Sequence, residues 1–417
     1  MRYIIFGLIL AALFQTFFWI THEHEMFIVH STNDTIESLS YSPYHGNDKR
    51  YLSYDEIKSD INLLSKYTNN IRTYSTQDAL VVVDILSSTN MTMDLGLWLS
   101  EDYEENYSEL QRAFYILDNY PDIINSIIVG NETLLRENLE VEELLAYIYL
   151  VVEKTHMPVT TAEVWHTWIK YPELVSNVDF INVHILPYWE KIDIDNFSSF
   201  IKNRYDFLQE TYPDAYITIG ETGWPSRGYN NKEAIPSIKN QALAIRGFLE
   251  LAKENNWSYN IIEAFDQPWK GYEEGNIGQY WGIFDSQRNP KFSLSEDVVE
   301  LNKNWFSQML AAILIGGLLT WYGLKNQRLN INHALAYAIA AQGMAFGIVM
   351  AATYPFVNYM NFGMWVMWSM GTFLMIPLVV ITLAKANELF KCSIGIPPKR
   401  LIPINLKSDN APFVSIH

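Results

Sequence analysis

Two glutamates in this chain of 417 residues stand where a pair of carboxylates could cleave an acetal. Glu132 closes the run SIIVGNETLLR at 126–136, and Glu221 closes the run AYITIGETGWPSRG at 215–228. Acetal hydrolysis needs one carboxyl group that keeps a proton for the leaving oxygen and one ionised carboxylate that attacks or stabilises the anomeric carbon. A structural ion pair at a strand end is the alternative for either glutamate alone, but two glutamates in equivalent contexts favour catalysis.

The stereochemical outcome depends on the gap between the two carboxylates. A gap of about 5 Å predicts retention through a covalent glycosyl-enzyme, and a larger gap predicts inversion. The sequence leaves both open.

The elements that must position these glutamates follow from the alternation of short apolar or β-branched runs with amphipathic stretches of helical length. Eight runs are candidate strands: 40–44, 70–75, 91–99, 126–132, 158–165, 178–187, 215–226 and 259–270. The helical stretches between them include 53–68, 103–119, 141–155, 196–211 and 238–255. Eight such units predict an α/β fold of the (β/α)8 TIM barrel type, with chemistry at the carboxyl ends of the strands. The alternative, an open doubly wound sheet, lacks a Gly-rich loop after its first strand.

Other side chains near strand ends are weaker candidates for the site. Tyr188 either donates its hydroxyl to the nucleophile or packs in the core. Glu163 and Glu263 either bond sugar hydroxyls and tune the catalytic pair, or form salt bridges beneath the barrel rim. His184 either contacts substrate or is an inward-facing structural histidine. Aromatic planes stack on pyranose rings, and the candidate platforms are Trp165, Trp189, Trp224, Trp269 and Trp281.

The distribution of charge separates a central domain from the two ends. The chain has 29 Lys and Arg against 47 Asp and Glu, a net charge of -18. Residues 23–304 carry a net -24 and the ends a net +6. An acidic body repels phosphate backbones, so we expect no nucleic acid partner. The single cysteine, Cys392, excludes cysteine-ligated zinc, and we expect neither a metal nor an organic cofactor.

Uncharged segments at both ends predict four membrane spans. From Leu329 to Ala384 there is no Asp, Glu, Lys or Arg. Stretches of about 20 apolar residues are long enough to cross a bilayer, and four fit: 3–20, 305–324, 334–354 and 362–384. Their lack of charge favours anchoring over a transport or assembly module for the last three.

The Lys and Arg residues near the ends of the spans indicate how the chain is oriented in the membrane, because loops rich in Lys and Arg stay in the cytoplasm. Arg2, the 325–328 loop and the tail carry such residues, whereas the 355–361 loop carries none. We therefore predict a signal anchor at 1–21, an extracytoplasmic catalytic domain at 22–304, three transmembrane helices at 305–387 and a cytoplasmic tail at 388–417. A cleaved signal peptide is the alternative for the first segment.

The motifs around the two glutamates resemble those of glycoside hydrolase family 17, which comprises β-1,3-glucan-active (β/α)8 barrels. GETGWPS is similar to its nucleophile signature, and VGNETLLR is similar to the acid/base segment of its bacterial members. The likeness extends over roughly 38–292 through the motifs SYSPYHG (40–46), IRTYS (71–75), VTTAEVWHTW (159–168), VDFINVHILPYWE (178–190) and EAFDQPWK (263–270).

This resemblance implies residue roles. Glu132 would be the general acid/base and Glu221 the nucleophile, and Asn131 would bond the sugar hydroxyl next to the reacting carbon. Trp269 and Lys270 of the last motif would contact substrate. Plant-type members carry a further glutamate shortly before their last aromatic-Gly pair. Here that pair is Trp281 and Gly282 and the residue three before it is Gly278, so Glu274 is a candidate substitute.

We expect an enzyme that cleaves internal β-1,3 bonds of glucan. We expect it to be anchored in the cell membrane, with membrane lipid around its helices. A transglycosylase that elongates or branches glucan is the first alternative, because only the acceptor differs. A glucan-binding scaffold without chemistry is the second. It would be expected to lack a catalytic carboxylate, and both are present.

Overall fold

The computed structural model describes residues 2–22, 24–27, 35–301, 304–326, 331–358, 360 and 362–393. These residues form two compact units. The barrel unit holds 24–301 and 356–358, and the helical unit holds the remaining described residues.

A closed barrel of eight parallel strands forms the barrel unit and confirms the predicted fold. The strands pair in chain order, and β8 closes onto β1. They are β1 (Ser38–Ser40), β2 (Asn70–Arg72), β3 (Thr92–Leu97), β4 (Ile124–Asn131), β5 (Val159–Val164), β6 (Ile181–His184), β7 (Ile217–Thr222) and β8 (Ser258–Ile261). All carboxyl ends therefore meet at one mouth.

Seven helices follow the first seven strands and pack around the barrel. They are α1 (Tyr54–Leu64), α2 (Thr76–Leu86), α3 (Tyr103–Asn119), α4 (Val141–Lys154), α5 (Trp165–Lys170), α6 (Phe197–Thr211) and α7 (Ile238–Asn255). Their starts follow local chemistry: Ser53 and Glu56 form a capping box on α1, and Asp102 accepts two backbone N–H groups of α3. Short 3-10 turns, Pro268–Gly271 and Gly278–Tyr280, follow β8 in place of a helix.

The strands sort their side chains between two environments. Leu39, Ile71 and Ile127 belong to the buried apolar layer shared with the helices. Polar side chains bond to each other across strands inside the barrel: Asn70 and Ser126 both donate to Asp94, at 2.6 and 2.7 Å. The barrel interior is thus polar, and the hydrophobic core lies between strands and helices.

Two short antiparallel pairings complete the barrel unit. His24–Phe27 pairs with Val298–Leu301, which joins the segment before the barrel to the segment after it. Tyr44–His45 pairs with Arg50–Tyr51 in the loop after β1.

The helical unit contains four long apolar helices, as predicted. They are M1 (Arg2–His22), M2 (Trp305–Leu324), M3 (Ile331–Val357) and M4 (Phe362–Ser393). All four are long and apolar enough to cross a membrane. Buried polar side chains also lie among them, for example His333, whose Nε2 is 2.7 Å from Asn387 Oδ1. Arg328 and the tail after 393, on which part of the predicted orientation rests, lie outside the described residues.

Candidate active site

Glu132 stands directly after β4, on a turn that backbone geometry fixes. Gly130 and Glu132 both have positive φ angles, 83° and 51°. The Glu132 N–H donates to the carbonyl of Ala162 on β5 at 2.7 Å. The side chain is 23% exposed and lines the cleft at the barrel mouth. The turn therefore presents the carboxyl to a ligand in the cleft.

Glu221 lies within β7 and is nearly buried, at 4% exposure. Tyr74 donates its hydroxyl to Glu221 Oε1 at 2.9 Å, and Arg72 Nη1 is 3.5 Å from the same oxygen. A Glu221 oxygen lies within 4.8 Å of a Glu132 oxygen. So short a separation is on the side of the roughly 5–5.5 Å typical of retaining glycosidases and leaves too little room for the water of an inverting mechanism, which needs about 6.5–9.5 Å.

Arg72 is buried, at 1% exposure, and forms hydrogen bonds to the strands that carry the two glutamates. Its guanidinium donates to Asn131 Oδ1 at 2.6 Å and to the carbonyl of Gly220 at 2.7 Å. The first bond fixes the Asn131 amide at the end of β4, and the second fixes the backbone just before Glu221. One cation thus sets the relative position of both catalytic strands.

His184, at the end of β6, lies between the two glutamates. Its Nδ1 is 2.7 Å from Glu132 Oε1, and its Nε2 is 3.5 Å from Glu221 Oε1. These three residues offer ligand atoms within 4.8 Å of one another, which is a possible metal donor set. The two ring nitrogens face different carboxylates, however, and Arg72 Nη1 is 3.3 Å from Nε2. A guanidinium at this point repels a cation, so the arrangement fits hydrogen bonding among these side chains better than metal binding.

The environment of Glu132 favours its ionised form. Burial raises the pKa of its carboxyl, but the hydrogen bond and electrostatic attraction of His184 and the positive charges of Arg136 and Arg72 outweigh burial and hold the pKa below its ordinary value. An ionised Glu132 suits the base half of a retaining cycle. Its acid half requires the protonated form, which becomes more abundant as pH falls.

An open cleft of about 1240 Å³ contains both carboxylates. It extends from Tyr44 and Trp98, which follow β1 and β3, past the glutamates to Trp165 and Trp189, which follow β5 and β6. Trp189 stacks on Trp281 with ring centroids 6.1 Å apart, and the Arg136 guanidinium lies 4.1 Å from the Trp98 ring. Aromatic surfaces therefore lie on both sides of the catalytic pair.

Two predicted site residues are placed elsewhere. Of the two roles considered for Tyr188, that of a core residue describes it: its hydroxyl donates to the carbonyl of Tyr229 at 2.7 Å, and its ring packs against Trp224. Trp224 was a candidate platform, but it is fully buried and its Nε1 donates to the carbonyl of Ile235. Neither lines the cleft. Both side chains are buried, which their position in the sequence does not reveal.

The two further predicted carboxylates, Glu163 and Glu263, are buried. Glu163 accepts the backbone N–H of Leu134 at 2.7 Å and so supports the turn that carries Glu132. Burial raises the pKa of Glu163 to about 8. Glu263 pairs with Lys270 at 2.9 Å, and burial raises the pKa of Glu263 to about 7 despite the lysine. Neither glutamate lines the cleft. Glu263 therefore forms the salt bridge that was the alternative to sugar binding, and Glu163 supports the turn that carries Glu132.

The remaining predicted contacts do line the cleft. They are Asn131, Trp165, Trp189, Trp269, Lys270 and Trp281. Glu274 also lines it, and a Cβ built on Gly278 would lie 2.8 Å from Glu274 Oε2. The Glu274 side chain thus fills the space that a residue larger than glycine at 278 would need.

Sequence reasoning missed Arg72, Tyr74 and Trp98, and gave His184 no firm role. Arg72 and Tyr74 belong to the IRTYS motif at the end of β2, and Trp98 ends the run of β3. The rule that polar residues closing a strand face the mouth applies to all of them. What it could not supply is the partner, because Tyr74 and Glu221 are 147 positions apart.

A (β/α)8 barrel with a carboxylate pair at this spacing across an aromatic-lined cleft defines a glycoside hydrolase. Comparison with known proteins agrees, and the chain belongs to a specific family: the BtgE/BtgC glycoside hydrolase domain matches residues 38–282.

Named relatives support this assignment. A protein of Schizosaccharomyces pombe named glucan 1,3-beta-glucosidase is 28% identical over 284 residues, which cover 64% of this chain and 88% of that protein. A putative glucan endo-1,3-beta-glucosidase of Aspergillus niger is 29% identical over 273 residues, which cover 57% of this chain and 40% of that protein. The chain thus spans only about two fifths of the Aspergillus relative.

A solved structure extends the likeness to three dimensions. The glycoside hydrolase family 17 beta-1,3-glucanosyltransferase from Rhizomucor miehei is 27% identical with a TM-score of 0.57, over 63% of this chain and 99% of that one. An active-site mutant of a Rhizomucor miehei beta-1,3-glucanosyltransferase in complex with laminaritriose gives 28% identity and the same TM-score. The predicted resemblance to family 17 is confirmed.

Proposed function

We propose that this protein cleaves internal β-1,3 bonds of glucan with retention of configuration, using Glu221 as nucleophile and Glu132 as general acid/base. The observation that carries the proposal is the gap of less than 4.8 Å between their oxygens. The asymmetry of the surroundings supports the assignment: Glu221 is nearly buried and receives a hydroxyl donor, whereas Glu132 is more exposed and faces the cleft.

The mechanism takes two steps. Glu132 gives its proton to the glycosidic oxygen while a Glu221 oxygen bonds to the anomeric carbon and the sugar-sugar bond breaks. Water, or a sugar hydroxyl, then gives its proton to Glu132 and displaces Glu221. Tyr74 and Arg72 stabilise the Glu221 carboxylate before the first step and as it departs in the second.

The shape of the cleft supports attack on internal bonds. Platforms on both sides of the glutamates leave room for sugars before and after the scissile bond, whereas an enzyme that removes terminal sugars needs one closed side. The Asn131 amide, held through its oxygen by Arg72, has N–H groups left to donate to the hydroxyl beside the reacting carbon.

Transfer to a second glucan chain is the alternative outcome of the same chemistry. The likeness to a β-1,3-glucanosyltransferase favours it, and attachment to a membrane through the apolar helices would also favour it, because it suits remodelling of a polymer made or exported there. Hydrolysis is the main activity that we propose. We also propose that four helices anchor the enzyme in the cell membrane with the barrel on the extracytoplasmic side.

The catalytic assignment is tested by Glu221→Gln in detergent-solubilised protein. Turnover of β-1,3-glucan should be abolished with the melting temperature retained, because an amide cannot form the glycosyl-enzyme. Glu132→Gln should lower glucan turnover by about 10²–10⁴-fold but retain the first step on an aryl glycoside whose leaving group needs no proton. Glu153→Gln on the outer face of α4 is the matched control and should be unchanged. Wild-type turnover in Glu221→Gln would refute the assignment.

Hydrolysis and transfer are separated by product length. We would incubate the wild-type protein with a reduced, size-defined β-1,3-oligosaccharide at millimolar concentration and follow products by mass. Products shorter than the substrate alone support hydrolysis. Early products longer than the substrate would identify transfer as the main activity.

A further inference from the structure

The imidazole of His184 contacts both proposed catalytic carboxylates and is sealed from solvent. The residue is 1% exposed. The charged groups that face the ring come from three strands: Arg72 of β2, Glu132 after β4 and Glu221 of β7. Arg136 and Lys270 add positive charge near Glu132 and near Glu221, respectively.

The neighbours of the ring determine which nitrogen carries its proton. A guanidinium can only donate hydrogen bonds, and Arg72 is held in place by its bonds to Asn131 and Gly220. Its Nη1 lies 3.3 Å from Nε2, closer than Glu221 Oε1 at 3.5 Å, and this favours Nε2 as an acceptor. The proton of a neutral imidazole must then lie on Nδ1, which faces Glu132 Oε1 at 2.7 Å.

We propose that His184 is a positioning residue for Glu132: its Nδ1–H holds Oε1 through the whole cycle and leaves Oε2 to exchange the proton with substrate. The proposal rests on the proposed function of Glu132. In the first step the proton leaves Oε2 for the glycosidic oxygen, and in the second it returns to Oε2 from water or from an acceptor hydroxyl. His184 gains and loses no proton.

The bond from Nδ1–H also follows the movement of charge during the cycle. In the form of the free enzyme that starts the cycle, Glu132 is protonated and the negative charge resides on Glu221; once the glycosyl-enzyme has formed, the charge resides on Glu132. A hydrogen bond to a charged acceptor is roughly twice as strong as a neutral one. The bond from His184 therefore strengthens when Glu132 becomes ionised, and this hydrogen bond is one of the causes that lower the pKa of that carboxyl.

Three substitutions distinguish the two ring nitrogens. Asparagine can place an amide N–H near the Nδ1 position, glutamine reaches only the Nε2 position, and phenylalanine keeps the ring volume with no donor. We expect His184→Phe and His184→Gln to lower kcat/KM on β-1,3-glucan by about 10²-fold, at the low end of losses in acid/base catalysis. His184→Asn should recover at least tenfold of that loss.

Two measurements distinguish a role of His184 in positioning Glu132 from a merely structural role of His184. Formation of the glycosyl-enzyme from a dinitrophenyl glycoside, which needs no acid, should change less than fivefold in His184→Phe. The limb of the pH profile that reports Glu132 should move to higher pH by about one unit, because the ionised carboxylate has lost a donor. Equal losses on both substrates, an unmoved limb, or Asn no better than Gln would each overturn the proposal.

The contact between His184 and Glu132 can also be tested by a measurement that does not depend on catalysis. Failure of this contact can therefore be distinguished from failure of the proposed function. The Glu132 carboxyl can be titrated by infrared difference spectroscopy in detergent, with Glu132→Gln as the blank. We expect its midpoint to be higher in His184→Phe than in the wild type, and an unchanged midpoint would overturn the proposal. If the wild-type protein fails to cleave glucan while the midpoint still shifts, the proposed function fails and the contact between His184 and Glu132 stands.

Discussion

The hydroxyl that stabilises the proposed nucleophile comes from Tyr74, not from Tyr188. Tyr74 donates to Glu221 Oε1 at 2.9 Å, and the second step of catalysis regenerates the charge on that carboxylate. A hydrogen bond to a charged group contributes about 1.5–3 kcal/mol. Tyr74→Phe should therefore lower kcat on β-1,3-glucan by about 10- to 100-fold, and the glycosyl-enzyme should accumulate in intact-mass spectra.

Tyr188→Phe is the matched control, because it also removes a tyrosine hydroxyl. The sequence alone made Tyr188 a candidate for stabilising the nucleophile. Its hydroxyl bonds to the Tyr229 carbonyl, so we expect kcat within about threefold of wild type and at most a small fall in melting temperature. A larger kcat loss in Tyr188→Phe than in Tyr74→Phe would reverse the assignment.

Glu163 makes stability depend on pH. Its pKa is raised from 4.5 to about 8 by burial. The folded protein therefore keeps a proton that the unfolded chain releases, and stability falls as pH rises from about 4.5 to about 8. Glu163→Gln mimics the protonated form. It should raise the melting temperature by several degrees at pH 8 and change it little at pH 4.5, as measured by tryptophan fluorescence in detergent.

The exposed Glu153→Gln provides the control for charge removal alone. It should leave the difference between the melting temperatures at pH 4.5 and pH 8 as in wild type. A parallel shift of Glu163→Gln at both pH values would show that Glu163 is ionised throughout, contrary to the effect of its burial.

The turn between β4 and α4 places Glu132, and its geometry depends on Gly130. Gly130 has a φ of 83°, and a Cβ there would lie 2.5 Å from Thr133 Oγ1 and 3.2 Å from Leu144 Cδ1. Gly130→Ala should therefore push the turn outward with Asn131 and Glu132. A displacement of about 1 Å costs on the order of 10²-fold in rate, so we expect kcat/KM on glucan to fall by roughly that factor.

Gly275→Ala is the matched control, because Gly275 has a φ of 75° with nothing within 4 Å of its added Cβ. Both substitutions carry the backbone strain of a left-handed residue, about 1–2 kcal/mol. The control should lower the melting temperature by a few degrees and retain most activity. Equal activity losses in the two variants would show that strain, not the contact with Thr133, is responsible.

Local signals predicted most elements of the barrel, and they failed where side chains face inward. The helices 103–119 and 238–255 were predicted with the bounds that the structure gives, because a cap residue precedes each of them. Strand β1 was placed at 40–44 but lies at Ser38–Ser40, since its inward-facing serines do not form an apolar run. The α2 helix was not among the predicted helical stretches.

The candidate site was predictable to the extent that chemistry follows strand ends. Glu132, Glu221 and Asn131 were found in this way and lie together in the cleft. The contacts that organise them join positions far apart: Arg72 reaches His184 across 112 positions and Gly220 across 148. Such contacts depend on the curvature and register of the closed barrel, which no local pattern encodes.

At the scale of the whole molecule, the proposed catalytic residues and the apolar helices belong to different units. The acidic barrel unit carries every residue proposed for catalysis, and the helical unit carries four apolar helices whose candidate spans are 20, 20, 26 and 30 residues long. At 1.5 Å per residue, each reaches the roughly 30 Å of a hydrocarbon core. An even number of spans returns the chain to the side from which it started, which makes the orientation testable at three points.

The proposed topology predicts opposite signals on the two sides of the membrane. Reporter fusions at position 30 should read outside, and fusions at positions 328 and 410 should read inside, because Lys325, Arg328 and the basic tail are retained in the cytoplasm. All three positions lie outside the described residues. Replacing Lys325 and Arg328 together by glutamine removes the retention signal and should reduce the inside signal at 328, whereas replacing the extramembrane Lys58 and Lys66 should not. An outside signal at 410 in the wild-type chain would overturn the orientation, and with it the placement of the barrel beyond the cytoplasm.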